Sequence, residues 1–584
     1  MTIDHPFLGT VHIVTVRKIL AQSLTALAVF TWSEAANAQT VLPPDAKETC
    51  TVPPADFKKW FLGSSVSKDG IVLPADSLTF TSAPDDLCPF FKWSQQMFLW
   101  LTSPIGQGRH VFASPQFYGV EAPSPGANPT RRLVPQDTNT LLSFAPAISL
   151  VGEKGVDVVA DSTGKVRDVV RAQVPGSTLQ FRDKADRPLS VARIAATTGG
   201  KPLLLDSTNK VLDFQTTDNG APLLRDAAGK TLALADTTVL VDGIQRLVTT
   251  AGEVVEIGQA GGNAVLMTRN NGLVYYLLQV NDVFAYFRTG MANGKFSAPL
   301  PTEFPVDAPL LDKITDIAKN APPPHTKNGF QDRIALAMEL KSSWVEASTL
   351  SNPQAYLTIK ATIPNFVPSG ADKLVQSGTK NVDLAMVGFH VVGSTLGHPE
   401  MIWATYEHIN NAPNLQYAYK TASGPATKPA DGSGPWLFSS SGASATPLRP
   451  RMTAQNNGAE IVAVSPQTIG PVDVTRLNPW GTVATDGAAD DVNTAVISIN
   501  RSVLGQMPAG DVRANYIMVG STWTKDGKAP AGANVTGTKT LANATMETFK
   551  QRLNCLGCHS GEMLGDKDGG GLSHIWGQIL PLFP

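Results

Sequence analysis

Apolar and polar positions follow two rhythms along this chain. From Phe90 to Leu101 the run FFKWSQQMFLWL is dense in large apolar side chains and halts before Pro104, which predicts a buried aromatic helix ended by proline. A shorter helix is expected around Asp56 to Leu62. Between about 150 and 260 the rhythm shortens. Asp161-Ser162-Thr163-Gly164-Lys165, Asp206-Ser207-Thr208-Asn209-Lys210 and Asp226-Ala227-Ala228-Gly229-Lys230 are separated by short apolar segments such as Pro202 to Leu205. Turns recurring roughly every 10 residues mark stacked hairpins, so this repetitive region reads as a β-meander or small β-roll. Asx-turn chemistry accounts for its aspartates without a bound cation.

Further along, Leu273 to Val280 is β-branched and aromatic and predicts a strand, with a helix or second strand from Asp282 to Phe287. Ile334, Ala337, Met338, Leu340 and Trp344 suggest a short amphipathic helix over 332–348, and Met401 to Tyr406 a strand. Asn320 to Pro324 and the Ser/Gly/Pro-rich run from Ser423 to Pro447 read as loops. Near the C-terminus Met546, Phe549, Leu553 and Leu556 recur at three and four. They predict an amphipathic helix from Thr545 to His559, capped by Asn543 or Thr545. The expected fold class is mainly β with some α: a large β-rich body over 39–540 containing the repetitive hairpin region, then a short helical segment over 541–584.

Composition narrows the class. Apolar residues make up 42% of the 584 positions and charged ones 16%, which suits a globular chain. A net charge of −2 with no block of like charge argues against a nucleic-acid partner. Residues 1–38 have the form of a cleaved signal peptide: Arg17 and Lys18, an apolar run from Ile19 to Thr31, then Ala36-Asn37-Ala38 before Gln39. That run is about 13 residues, short of the roughly 20 that span a bilayer, and no other stretch qualifies. Export is expected, with no transmembrane segment in the mature chain. In an oxidising compartment Cys50 and Cys88 are the natural disulfide, two separate buried thiols being the alternative.

The remaining cysteines carry chemistry. On a helix ending in Cys555-Leu556-Gly557-Cys558-His559, Cys555, Cys558 and His559 share one face. Covalent attachment requires that arrangement: two thiols add to the vinyl groups of one porphyrin while the adjacent imidazole reaches the iron. A structural zinc site would need four protein ligands, and no second CxxC or paired His lies nearby. A thioredoxin-like dithiol would give the following His no purpose. Cys555 to His559 resembles the haem-attachment site of c-type cytochromes, a likeness confined to about the last forty residues. It implies one covalent haem c, with Cys555 and Cys558 as attaching thiols and His559 as proximal iron ligand. It also implies one-electron transfer in the bacterial periplasm with a redox partner protein or small-molecule electron donor. A free-standing cytochrome c domain has its motif near the N-terminus, whereas here 25 residues follow His559, so the preceding body must cover the haem.

The second axial ligand has several candidates. His574 lies 15 residues beyond His559 and can fold back, while Met563 is too close to reach the opposite side. His390, His398 and His408 form a second group. Electron transfer is the leading function. One alternative is a periplasmic haem-containing oxidoreductase whose β-rich body binds substrate, with His398, Glu400, Tyr406, Glu407 and His408 as an acid–base set. The other is a haem-based sensor or binding protein. Dinucleotide fingerprints, Walker loops, HExxH and GxSxG are absent from the sequence.

Overall fold

A computed structural model describes residues 41–584. It leaves out 84–85, 125–129, 138–140, 147–156, most strand-connecting segments between 161 and 263, 447, 449, 456–457, 464–466, 482–488, 532, 550, 552–554, 560–562 and 565–570. The signal-peptide region and the three repeated turn cores, Lys210 excepted, lie outside the described residues.

Six helices are described: α1 (Pro54–Trp60), α2 (Cys88–Leu101), α3 (Asp282–Ala292), α4 (Ala308–Lys319), α5 (Ala489–Leu504) and α6 (Cys555–Cys558). The architecture is otherwise β, dominated by one 13-stranded sheet. Its central strands are β1 (Phe117–Val120), β2 (Val274–Asn281), β3 (Met338–Glu346), β4 (Thr358–Pro368), β5 (Lys373–Thr395), β6 (His398–His408), β7 (Tyr516–Thr524) and β8 (Val535–Gly537). These run antiparallel in the order β1-β2-β3-β5-β6-β7-β8, with β4 pairing the long β5. The expected class, mainly β with some helices, is what the chain adopts.

Each face of the sheet buries its own core, because successive strand side chains point to opposite sides. On one face α2 and α5 pack Phe98, Leu101, Val496 and Val503 against Phe389, Val391, Ile402 and Tyr406. On the other, α3, α4 and the chain beyond 541 pack Phe284, Phe287, Leu311, Leu572, Ile575 and Trp576 against Val387, Val392 and Trp403. The Asn281 side chain caps α3 by accepting from the Phe284 N–H, which fixes the turn from strand to helix. A disulfide joins Cys50 to Cys88 and ties the N-terminal segment to the start of α2.

In the repetitive region, each repeated turn core is flanked by two antiparallel strands. The pairs Ala160↔Val166, Leu205↔Val211 and Arg225↔Thr231 close around the three cores, as hairpin spacing requires.

Three sequence expectations differ from the structure. Residues 338–346 are a strand preceded by a single turn at Arg333–Ala335, not a helix. Met338, Leu340 and Trp344 point to one core while Glu339, Lys341 and Ser343 point away, a period of two that pairing with β2 and β5 selects. The loop expected from Ser423 begins instead as the second strand of a hairpin, Tyr417–Thr421 with Gly424–Lys428. Finally, among the described residues the helix expected over 545–559 is confined to the single turn of α6. Before it, Asn543 Oδ1 accepts from Thr545 N–H and Thr548 Oγ1 donates to the Ala544 carbonyl. Such local side-chain bonds compete with the helical ladder. Among the described residues no helix is long and apolar enough to cross a membrane.

Candidate functional site

The motif residues sit where the 541–584 segment lies on the sheet. The His559 N–H donates to the Cys555 carbonyl at 2.8 Å, so His559 extends the turn begun by α6 and stands one turn beyond Cys555. Its ring is half-buried between Trp403 of β6, at a centroid distance of 4.4 Å, and His574, stacked at 4.0 Å with an interplanar angle of 14°. His559 Nδ1 lies 2.6 Å from the Leu572 carbonyl. A carbonyl only accepts, so Nδ1 carries the hydrogen and the Nε2 lone pair is the ligating one. Burial pushes the imidazole well below its usual pKa, with the adjacent His574 adding to the effect. His559 is therefore neutral at physiological pH, the form that binds a metal.

The sheet beneath carries a buried polar row in otherwise apolar strands. Cross-strand register places Lys341 of β3, His390 of β5 and Thr405 of β6 side by side. His390 Nε2 is 3.0 Å from Glu547 Oε1, and Glu547 Oε2 accepts from the Asn543 N–H. Burial raises the Glu547 pKa, but the His390 and Lys341 charges outweigh it and hold the carboxyl at about 2. The Lys341 ammonium stands over the Tyr276 ring, and the Tyr276 hydroxyl donates to the Thr545 carbonyl. Ser343 Oγ and Thr545 Oγ1 meet at 2.6 Å. Two residues before Lys341 on the same face, Glu339 accepts from Ser573 Oγ at 2.7 Å.

Of the histidines proposed as alternative ligands, only His390 lies on this side. Strand alternation sends His398 and His408 elsewhere. His398 packs edge-on against Phe90 and Phe80, with Nδ1 2.8 Å from Glu400 Oε1. His408 stacks on Tyr356; its Nε2 donates to the Ala355 carbonyl and its Nδ1 accepts from the Asn410 N–H. Burial pushes it down to about 3, so it is a neutral core histidine with both nitrogens engaged. The acid–base set is likewise dispersed. Tyr406 is buried against Phe98, and Glu407 is bonded to Arg476 at 2.7 Å and to the Ala544 N–H.

The motif fits a covalent haem at the level of its donors. Cys555 and Cys558 begin and end one helical turn, and His559 has the tautomer, protonation state and backbone-carbonyl partner expected of a ligating imidazole. Trp403, Leu556, Met563 and Leu572 belong to the apolar core on this face of the sheet. His574 is brought to the site as the spacing suggests, but it lies beside His559. Its ring lies flat on that of His559, at a centroid distance of 4.0 Å, rather than across from it. Among the described residues no group of three or more His, Cys, Asp and Glu side chains gathers as a metal cluster.

Sequence reasoning missed Trp403, Glu339, Lys341 and Glu547. The first three were legible as one face of period-two strands; Glu547 is placed by tertiary contact with His390, which no local pattern carries. Comparison with family models, with curated proteins and with solved structures finds no match for this chain.

Proposed function

We propose that this protein is an exported c-type haem protein that transfers single electrons, with Cys555 and Cys558 as the attaching thiols and His559 as the proximal ligand. The observation that carries the reading is the His559 imidazole, which follows the CxxC turn directly and has its Nδ1–H committed to the Leu572 carbonyl. A haem held there supplies a one-electron iron couple. The chain's own residues do the rest. Leu572 fixes the imidazole orientation, Trp403 and Leu556 exclude water, and the Glu547–His390 pair anchors the segment to the sheet. His574, whose ring is stacked on that of His559, is the residue that would supply a second nitrogen ligand. The leader-like residues 1–38 and the Cys50–Cys88 bond are compatible with periplasmic residence.

The test is acid extraction of protein exported from cells that carry haem-attachment machinery. Haem colour should stay with the wild-type chain and be lost from Cys555→Ser with Cys558→Ser. Carbon monoxide added to the reduced protein should leave its spectrum unchanged and bind after His574→Ala. Haem removed by the extraction sinks the reading; carbon monoxide binding to the wild type would move a substrate-binding oxidoreductase ahead of the carrier.

A further inference from the structure

Glu339 is a carboxylate in an unusual place. Its cross-strand neighbours are Val280 of β2 and Val392 of β5, and it is 8% exposed. Its carboxylate accepts a hydrogen bond from the motif segment, from the hydroxyl of Ser573, the residue before His574. The buried Arg131, which donates to Gln578 and to the Glu121 carbonyl, is the cation that favours its charged form. The charged and titratable groups on the elements packed here are Lys341 on its own strand, His390 on β5, Glu547, His559 and His574 on the C-terminal segment, and Arg288 of α3, whose Nε donates to the Trp576 carbonyl. Burial outweighs Ser573 and Arg131 and pushes the carboxyl up to about 7. A negative charge added nearby in a low-dielectric interior raises the proton affinity of such a group further.

We propose that Glu339 is the proton acceptor coupled to reduction of this protein. As one electron from a one-electron donor enters at the motif, one proton from solvent forms an O–H bond on the Glu339 carboxylate, and the site's net charge is unchanged. This rests on the haem reading above. Ser573 couples the two places, because its hydroxyl touches Glu339 while its backbone is continuous with His574.

The experiment is an equilibrium redox titration of the full-length exported protein from pH 5.5 to 9, run after acid extraction has established covalent haem. The potential should be flat at low pH and fall from an onset near pH 7 with a slope approaching 59 mV per tenfold change in proton concentration. Glu339→Gln should flatten that slope. Ser573→Ala removes the bond that favours the carboxylate, so it should keep the slope and move the onset to higher pH. A pH-independent wild-type potential overturns the proposal, as does a slope surviving in Glu339→Gln, which would place the proton on another group. If Glu339→Gln does not accumulate, an unshifted onset in Ser573→Ala overturns it. Loss of haem on extraction is read before any potential, so failure of the haem reading is distinct from failure of the coupling.

Discussion

An alanine at position 388 would put its Cβ 2.5 Å from both Ser343 Oγ and Thr545 Oγ1 and 2.9 Å from Asn543 Oδ1. Gly388 is thus what lets the 543–545 turn lie directly on β5. Gly388→Ala should cost about 1–3 kcal/mol by overpacking, read as a lowered urea midpoint. Gly329→Ala, which meets nothing within 4 Å, should stay within about 0.5 kcal/mol. Equal midpoints for the two variants would refute the close approach. At this scale the motif was legible because its chemistry is local: CxxCH fixes three side chains within one turn. Leu572 as the His559 partner was not, since a backbone carbonyl 13 residues away leaves no trace in residue type.

Strand periodicity decides which candidate residues meet. In β6, Trp403 faces the motif while His398 packs against Phe90 and His408 sits on Tyr356 and Tyr516. The sequence grouping of three histidines therefore separates in space. His408 is held at about 3 by burial, against an ordinary 6.5. A base whose folded pKa is depressed leaves the unfolded state holding more protons below 6.5, so folding stability falls as pH drops from 6.5 toward 3. One proton contributes a slope of about 1.4 kcal/mol per pH unit. His408→Gln should lose that component of the slope, whatever its stability at neutral pH; urea unfolding at intervals across this range measures it, and an unchanged slope would rule the assignment out. The helix expected over 332–348 failed at this same scale. Ile334, Ala337, Met338, Leu340 and Trp344 satisfy a helical wheel approximately, but Glu339, Lys341 and Ser343 alternate with them, and pairing on both edges favoured the strand.

Across the whole molecule, the β-rich class and the hairpin array were legible from turn spacing, whereas the single large sheet was not, because pairings such as Tyr276↔Ser343 and Phe389↔Tyr406 are set by distant segments. Nor did the sequence reveal that residues 541–584 share a core with α3 and α4. Leu572, Ile575, Trp576, Ile579 and Phe583 are all buried there, with Trp576 packed edge-on to Phe284 and Phe304. Deleting 541–584 should therefore abolish cooperative unfolding of the body; a truncated chain with a sharp wild-type-like urea transition would show instead that the segment is an appendage.

That shared core also imposes an order in time. The face of the sheet bearing Val387, Val392 and Trp403 is covered only in part, by α3 and α4, until the segment carrying Leu572 and Trp576 has been made and delivered. During that interval the body has an open apolar surface that invites chaperones or self-association. Docking ends that exposure, so the body is free of such helpers only after the segment carrying Leu572 and Trp576 has arrived.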